Sequence, residues 1–165
     1  MMLIVFAGLP GTGKTTLSRA TAIHTNAVYL RIDTIGQAMR SGLLTEDVGA
    51  AGYAVALAMA EENLSFGRTV IADCVNPVRA SRWGWQNLAA QKNVRLIEVE
   101  VICSDLVEHR RRVEGRTADL PGHVLPSWES VLSYAYEPWE GPHLVLDTAL
   151  LATDAAVETI VAAVD

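Results

Sequence analysis

Gly8-Leu9-Pro10-Gly11-Thr12-Gly13-Lys14-Thr15 packs three glycines, a lysine and two threonine hydroxyls into eight consecutive residues. The run satisfies G-x-x-x-x-G-K-[ST] at every fixed position. Glycines at these places let the backbone turn with its N–H groups facing inward, where they and the start of the next helix can hold phosphate oxygens. Lys14 adds a positive charge for β- and γ-phosphates, and the Thr15 hydroxyl is the expected protein ligand to Mg²⁺. The stretch containing Gly8, Pro10, Gly11, Thr12, Gly13, Lys14, Thr15 and Thr16 is therefore the expected cradle for ATP. Its flanks support this reading. Apolar LIVFAG before it reads as a strand, and TTLSRATAIH after it reads as a helix.

Such a loop serves several chemistries, and the choice among them depends on what lies at the other strand ends. Tyr29-Leu30-Arg31-Ile32-Asp33-Thr34 puts a carboxylate at the end of an apolar run. Asp33 there can accept the proton of an alcohol aligned with a γ-phosphate, or can cap a helix from Thr34 to Arg40. Ile71-Ala72-Asp73-Cys74-Val75-Asn76-Pro77-Val78-Arg79 supplies a second carboxylate. Asp73 could hold a Mg²⁺-bound water, orient an arginine or touch the acceptor. Asn76, Arg79 and Arg82 follow it as candidate substrate contacts, although Arg79 and Trp83, four apart, could equally form a solvated helix face opposite Trp85, Leu88 and Ala89.

Later in the chain, Arg112 and Arg116 stand four apart, which predicts one helix face at the edge of the irregular stretch TADLPGHVL. Their guanidinium groups could stack on a base or neutralise charge on a phosphoryl group in transfer. Arg110 and Arg111 are expected to be solvated. Residues from about 117 to 127, with Pro and Gly close together, are expected to form a lid that excludes water from the reacting groups.

Positioning these residues requires a particular order of elements. Short β-branched runs alternate with longer helical patterns, the mark of βαβ units around a parallel sheet. The predicted strands are Leu3 to Gly8, Val28 to Ile32, Thr69 to Val75, Val94 to Cys103 and Leu144 to Thr148. Tyr53, Leu57, Ala60 and Leu64 mark one core-facing helix stripe, and Val157, Ile160, Val161 and Val164 mark a last one behind Asp154. Ser127 is placed to cap a helix whose apolar face is Trp128, Val131, Leu132 and Ala135, with Pro138 as its stop.

The length of 165 residues fits one domain, and 50% apolar with 19% charged residues excludes disordered and fibrous classes. Thirteen Lys+Arg against 19 Asp+Glu give a formal charge of −6, so no global field draws the chain to nucleic acid or to an anionic membrane. The longest apolar stretch, Ala50 to Ala60, is too short to span a bilayer, and the apolar start lacks a basic leader region. A soluble cytoplasmic protein is expected. Cys74 and Cys103 read as buried thiols, and His24, His109, His123 and His143 as surface or loop residues without metal-ligand spacing. Trp128, Tyr134, Tyr136 and Trp139 cluster after the lid and read mainly as core and interface. Asp147 either borders an adenine site or caps a turn.

GLPGTGKTT, RID, ADCVNPVRASR and RVEGR, in that order, resemble the small P-loop kinases related to chloramphenicol phosphotransferase, zeta toxin and polynucleotide 5′-hydroxyl kinase. The resemblance implies a three-layer α/β fold with a five-stranded parallel sheet in the order 2-3-1-4-5. It implies Asp33 as general base, an acceptor-side role for the Asp73 to Asn76 segment, and lid arginines in RVEGR. Polynucleotide kinases carry an Arg three residues after the base, where this chain has Gly36, and the segment Gly42 to Gly52 has few cations for a nucleoside monophosphate. The expectation is thus an ATP-dependent phosphotransferase acting on a hydroxyl of a small neutral or cationic molecule, with Arg116 completing the site when the lid closes. Two alternatives stand beside it: a polynucleotide or nucleoside 5′-hydroxyl kinase, and a non-catalytic module that uses ATP as a switch.

Overall fold

The computed structural model describes residues 1–43, 48 and 50–164. Its elements are β1 (Met2–Ala7), α1 (Lys14–Thr25), β2 (Val28–Arg31), α2 (Ile32–Leu43), α3 (Ala51–Ser65), β3 (Val70–Asp73), α4 (Arg79–Lys92), β4 (Arg95–Ile102), α5 (Leu106–Glu114), α6 (Trp128–Leu132), β5 (Leu144–Asp147) and α7 (Thr153–Val164). The five strands form one parallel sheet in the order β2-β3-β1-β4-β5. This is the expected topology. Part of the Gly42 to Gly52 stretch read for its few cations, residues 44–47 and 49, lies outside the described residues.

β1 sits at the centre, hydrogen-bonded to β3 on one side and β4 on the other, and five of its six residues are buried. Strand alternation sends Leu3 and Val5 to one face and Ile4 and Phe6 to the other. On the first face they meet Ala56, Ala60 and Leu64 of α3 and Trp85, Leu88 and Ala89 of α4. On the second they meet Leu17 of α1 and Ala156 and Ile160 of α7. Both faces of a parallel sheet are thus covered, which explains why its strands read as continuous apolar runs. Cys74 and Cys103 are buried free thiols, as expected.

Three element boundaries differ from the sequence reading in ways that matter for the site. β2 passes directly into α2 at Ile32, so Asp33 lies in the first helical turn rather than ahead of a helix beginning at Thr34. α5 ends at Glu114, with Gly115 as its C-cap, so Arg116 lies beyond the helix and does not share a helical face with Arg112. α6 stops at Leu132, which is 63% exposed, so the stripe predicted to run on through Ala135 toward Pro138 is cut short. Ser127 does cap it, its hydroxyl accepting from the Ser130 N–H.

Candidate functional site

Parallel strands deliver their carboxyl ends to one edge of the sheet, and the loops leaving β1, β2 and β3 meet there. Between β1 and α1, Gly8, Gly11 and Gly13 all take positive φ. At two of them the neighbours forbid a side chain as well. A Cβ on Gly8 would collide with the carbonyl oxygen of Val101, and one on Gly11, at φ +86°, would lie 2.5 Å from Cγ2 of Val113. The loop is held from outside. Gly8 N–H donates to Val75 O at 3.1 Å, and the Thr148 hydroxyl donates to Thr12 O at 2.7 Å. Thr12 adds a hydroxyl bond to Leu9 O within the loop.

Helix α5 supplies a second brace. His109 is 5% exposed, its Nε2 lies 2.8 Å from Pro10 O, and its ring stands edge-on to Trp128. The expectation that all four histidines are surface or loop residues is therefore corrected for His109. It stands one turn before Val113 on the helix face that packs under the loop. Trp128, Val113, Val131 and Leu9 complete that small core, in keeping with a structural Trp128.

Lys14 and Asp73 form the buried centre of the site, with Nζ 3.1 Å from Oδ1 and side chains 8% and 1% exposed. The Tyr29 hydroxyl donates to the other carboxylate oxygen at 2.6 Å. Burial alone would raise the Asp73 pKa, but the Lys14 charge and hydrogen bonds from Tyr29, Lys14 and Thr15 outweigh it and hold the carboxyl below its ordinary range. The Tyr29 phenol is pushed far up, first by burial and then by the Asp73 charge. Asp73 is thus a fixed anion at the tip of β3 that touches both Lys14 and Thr15.

A cleft of about 520 Å³ opens above this pair. Its walls include Pro10, Gly11, Gly13, Lys14, Thr15 and Thr16 of the loop, together with Asp33, Arg112, Arg116 and Tyr134. Asp33 and the phosphate loop therefore face one space. Arg116 makes no ion pair among the described residues, whereas Arg112 is tethered. Its Nε donates to Glu108 Oε1 at 2.7 Å, and its two Nη atoms donate to the hydroxyl and carbonyl of Thr148. Arg110 and Arg111 pair with Glu114 and Glu108 on the outside of α5, the solvated placement expected of them. A second cavity of about 370 Å³ adjoins the first, lined by Gly13, Thr16, Arg112, Thr148, Leu151 and Ala152 among others.

Of the residues read as acceptor contacts, Asn76, Arg79 and Arg82 stand outside the cleft walls, and Asp73 lies behind them, paired with Lys14. Arg79, at the start of α4, is an exposed side chain paired with Glu140, and it faces away beside Trp83 and Glu137. Asn76 is fully buried at φ 50°, its N–H donating to the Tyr53 hydroxyl at 2.9 Å, and its side-chain atoms have no partner among the described residues. Arg82 proves to be a clamp. It is 5% exposed, donates to the carbonyls of Asn76, Pro77, Glu137 and Pro138, and lies over the rings of Tyr136 and Trp139. Asp147 caps its turn, accepting from the N–H groups of Ser104 and Ala149. Arg31, Arg19 and Asp119 also line the cleft, and none of them was singled out from sequence. Arg31 had a usable signal, a cation two residues before Asp33 inside an otherwise apolar strand.

Among the described residues, no helix is long and apolar enough to cross a membrane, and no three His, Cys, Asp or Glu side chains gather as a metal cluster. The searched curated proteins contain no match to the chain. Solved structures do match over nearly its whole length. A protein of Chloroflexus aurantiacus, provisionally described as a kinase, is 26% identical with a TM-score of 0.78, covering 98% of this chain and 97% of its own. A gluconokinase from Sinorhizobium meliloti 1021 is 22% identical with a TM-score of 0.67, over 98% and 90%. The Mycobacterium tuberculosis APS kinase, in complex with AMPPNP and APS, is 17% identical with a TM-score of 0.69, over 99% and 96%. A family model, AAA_33, described as an AAA domain, matches residues 3–133, and the chain belongs to that family.

Proposed function

We propose that this protein is an ATP-dependent phosphotransferase that moves the γ-phosphoryl group of ATP to a hydroxyl of a small molecule. The observation that carries the reading is the shared cleft. One space is walled by the phosphate loop with Lys14 and Thr15 on one side and by the Asp33 carboxylate on another. A nucleotide switch has little need of a carboxylate on the acceptor side. A kinase needs one, because the attacking hydroxyl must lose its proton as its oxygen bonds to phosphorus. Family membership and whole-length likeness to a protein described as a kinase support the same class.

In this reading the glycine-rich backbone holds the phosphates and the second cavity, beside Thr148, Leu151 and Ala152, receives the base. Lys14 leaves Asp73 to contact the β- and γ-phosphates. Asp33 takes the proton of the acceptor hydroxyl while that oxygen attacks the γ-phosphorus, and ADP departs. Arg116, unpaired among the described residues, offsets charge on the transferred group. The donor set fits Mg²⁺, since Asp73 is held ionised next to Thr15; Mg²⁺ on these two residues would neutralise phosphate charge. Arg112, fixed to Thr148, shapes the nucleotide side. Asp73 serves the nucleotide centre in this scheme, and neither Asn76 nor Arg79 contacts acceptor.

The test is ADP release from the purified protein with Mg²⁺-ATP against a panel of hydroxyl compounds, with each hit checked by mass spectrometry for an added phosphoryl group. The expected result is an acceptor-dependent signal that Asp33→Asn abolishes while ATP binding persists. Tight ATP binding with no phosphorylated acceptor from any panel member, and a nucleotide-dependent protein partner instead, would replace the kinase with the switch.

A further inference from the structure

Asp119, in the irregular segment after α5, reaches across the mouth of the cleft onto two arginines. Its Oδ2 accepts from Arg31 Nη1 at 2.6 Å and from Arg19 Nη2 at 2.8 Å, and its Oδ1 accepts from Arg31 Nη2 at 3.1 Å. This is a bidentate guanidinium–carboxylate pair with a third donor added. Arg31 is not a surface residue that happens to find a partner. Its side chain is only 3% exposed, and its Nε, also buried, has no partner among the described residues. Arg31 is thus a cation held almost wholly out of water at the wall of a ligand-sized cleft, at a desolvation cost offset only by two part-exposed carboxylates, Asp119 and Asp33.

The second observation is position. Arg31 Nη2 also lies 3.6 Å from Asp33 Oδ2, so one guanidinium touches both the proposed base and the Asp119 carboxylate. Gln37 Nε2 donates to Pro121 O at 3.0 Å and pins the same segment on α2. The Asp119 carboxylate therefore occupies, from within the chain, an anion site next to the base.

Resting on the kinase reading above, we propose that Arg31 and Arg19 form the acceptor's anion subsite, that the phosphoryl acceptor is a small alcohol bearing a carboxylate or a phosphate, and that this group displaces Asp119. The acceptor's hydroxyl then falls to Asp33 on the neighbouring edge of Arg31. The planar two-oxygen geometry that Asp119 shows is the one a carboxylate reproduces, and a phosphate meets the same donors with two of its oxygens. Gly36, the cation-poor Gly42 to Gly52 stretch and the total charge of −6 point to a neutral or cationic acceptor, but none of the three reads the cleft wall itself. Lys14 and Arg112 are paired behind the cleft wall with Asp73 and Glu108, which leaves Arg19, Arg31 and Arg116 on that wall against Asp33 and Asp119. Among the described residues, displacement of Asp119 removes one of the two ties on this segment, the other being the Gln37 bond to Pro121 O.

Two variants at half-exposed positions test this without touching the core: Asp119→Ala removes the internal competitor and Arg19→Gln removes one donor. With the nucleotide site filled by Mg²⁺-AMPPNP, calorimetric titration of sodium sulfate reads the subsite independently of transfer. Sulfate is expected to bind Asp119→Ala on the order of tenfold more tightly than wild type, and Arg19→Gln in the Asp119→Ala background is expected to remove that gain. Steady-state transfer with D-gluconate, D-glycerate, glycerol 3-phosphate, D-glucose and glycerol forms the second arm. Anionic acceptors should show a lower KM in Asp119→Ala and a KM raised tenfold or more in Arg19→Gln; the preferred anion assigns carboxylate or phosphate. Equal use of neutral and anionic alcohols, with KM unmoved in both variants, overturns the proposal while leaving the kinase intact. Loss of AMPPNP affinity in Arg19→Gln overturns it too, by assigning the pair to the nucleotide. Silence from every alcohol counts against the kinase reading, and the sulfate titration then decides the anion site alone.

Discussion

Lys14 Nζ and Asp73 Oδ1 stand 3.1 Å apart with both side chains almost wholly out of water. Each charge is tolerable there only because of the other, yet the proposed chemistry requires Lys14 to turn to phosphate. Removing the lysine is therefore expected to do two separable things. Lys14→Ala should abolish detectable nucleotide binding, and by leaving Asp73 buried without its cation it should cost about 3 kcal/mol of stability. Urea unfolding and a fluorescent-nucleotide titration measure the two effects. Normal nucleotide affinity in a folded Lys14→Ala protein would refute the phosphate-loop assignment.

Asp33 differs from Asp73 in that its side chain is 38% exposed and faces the cleft rather than the core. Asp33→Asn keeps the shape and the first-turn position on α2 but removes the proton acceptor. Transfer should fall by about 10² or more, with nucleotide affinity and melting temperature close to wild type. A large fall in melting temperature would instead mark Asp33 as an anchor for α2 and Arg31.

The contiguous parts of the site could be read from the chain and the spatial parts could not. Gly8 to Thr16 announces itself because its geometry is local, each glycine answering a backbone requirement within a few residues. Asp33 and Asp73 were visible because strand ends are visible. The Arg31–Asp119 contact joins residues 88 apart in sequence, and no periodicity records it. His109 reads as solvated for a related reason: a histidine on a charged helix carries no local sign that α5 packs on the phosphate loop. Arg79 reads as a site residue because it follows β3 closely, but past the extended backbone of Val78 its side chain pairs with Glu140 outside the cleft.

The two RVEGR arginines should separate by assay. Arg112 is bonded to Glu108 and to Thr148, whose hydroxyl holds the carbonyl of Thr12. Arg112→Ala should thus loosen the loop itself, lowering the melting temperature by about 5 °C and weakening nucleotide binding. Arg116 lies past the helix end without such bonds among the described residues, so Arg116→Ala should leave the melting temperature unchanged and lower kcat. Equal thermal losses in the two variants would contradict this division.

Gly11 tests the brace under the loop. An alanine there must hold φ near +86° and push against Val113 Cγ2, which sits over the buried His109 and Trp128. Strain and overpacking together should destabilise Gly11→Ala by about 3 kcal/mol. Val113→Ala in the same chain should return part of that loss by making room, a coupling that a double-mutant cycle in urea would detect. Additive losses would mean that the backbone angle alone carries the penalty.

Acid stability gives an independent reading of the buried pair. Asp73 has its pKa depressed below the ordinary carboxylate value of 3.8, so the folded state binds that proton less readily than the unfolded chain. The stability it contributes is fully present above the unfolded value and is lost as the pH falls through the folded one. Asp73→Asn should accordingly be less stable than wild type at neutral pH, because Lys14 is then buried without its anion, and the gap between the two proteins should narrow as the pH drops below about 4. Other depressed carboxylates, Asp119 among them, titrate in both proteins and cancel from the difference. Urea midpoints of both proteins at pH 7 and across the range from 5 to 3 measure that gap. A gap that stays constant to pH 3 would mean that Asp73 is not the ionised partner of Lys14.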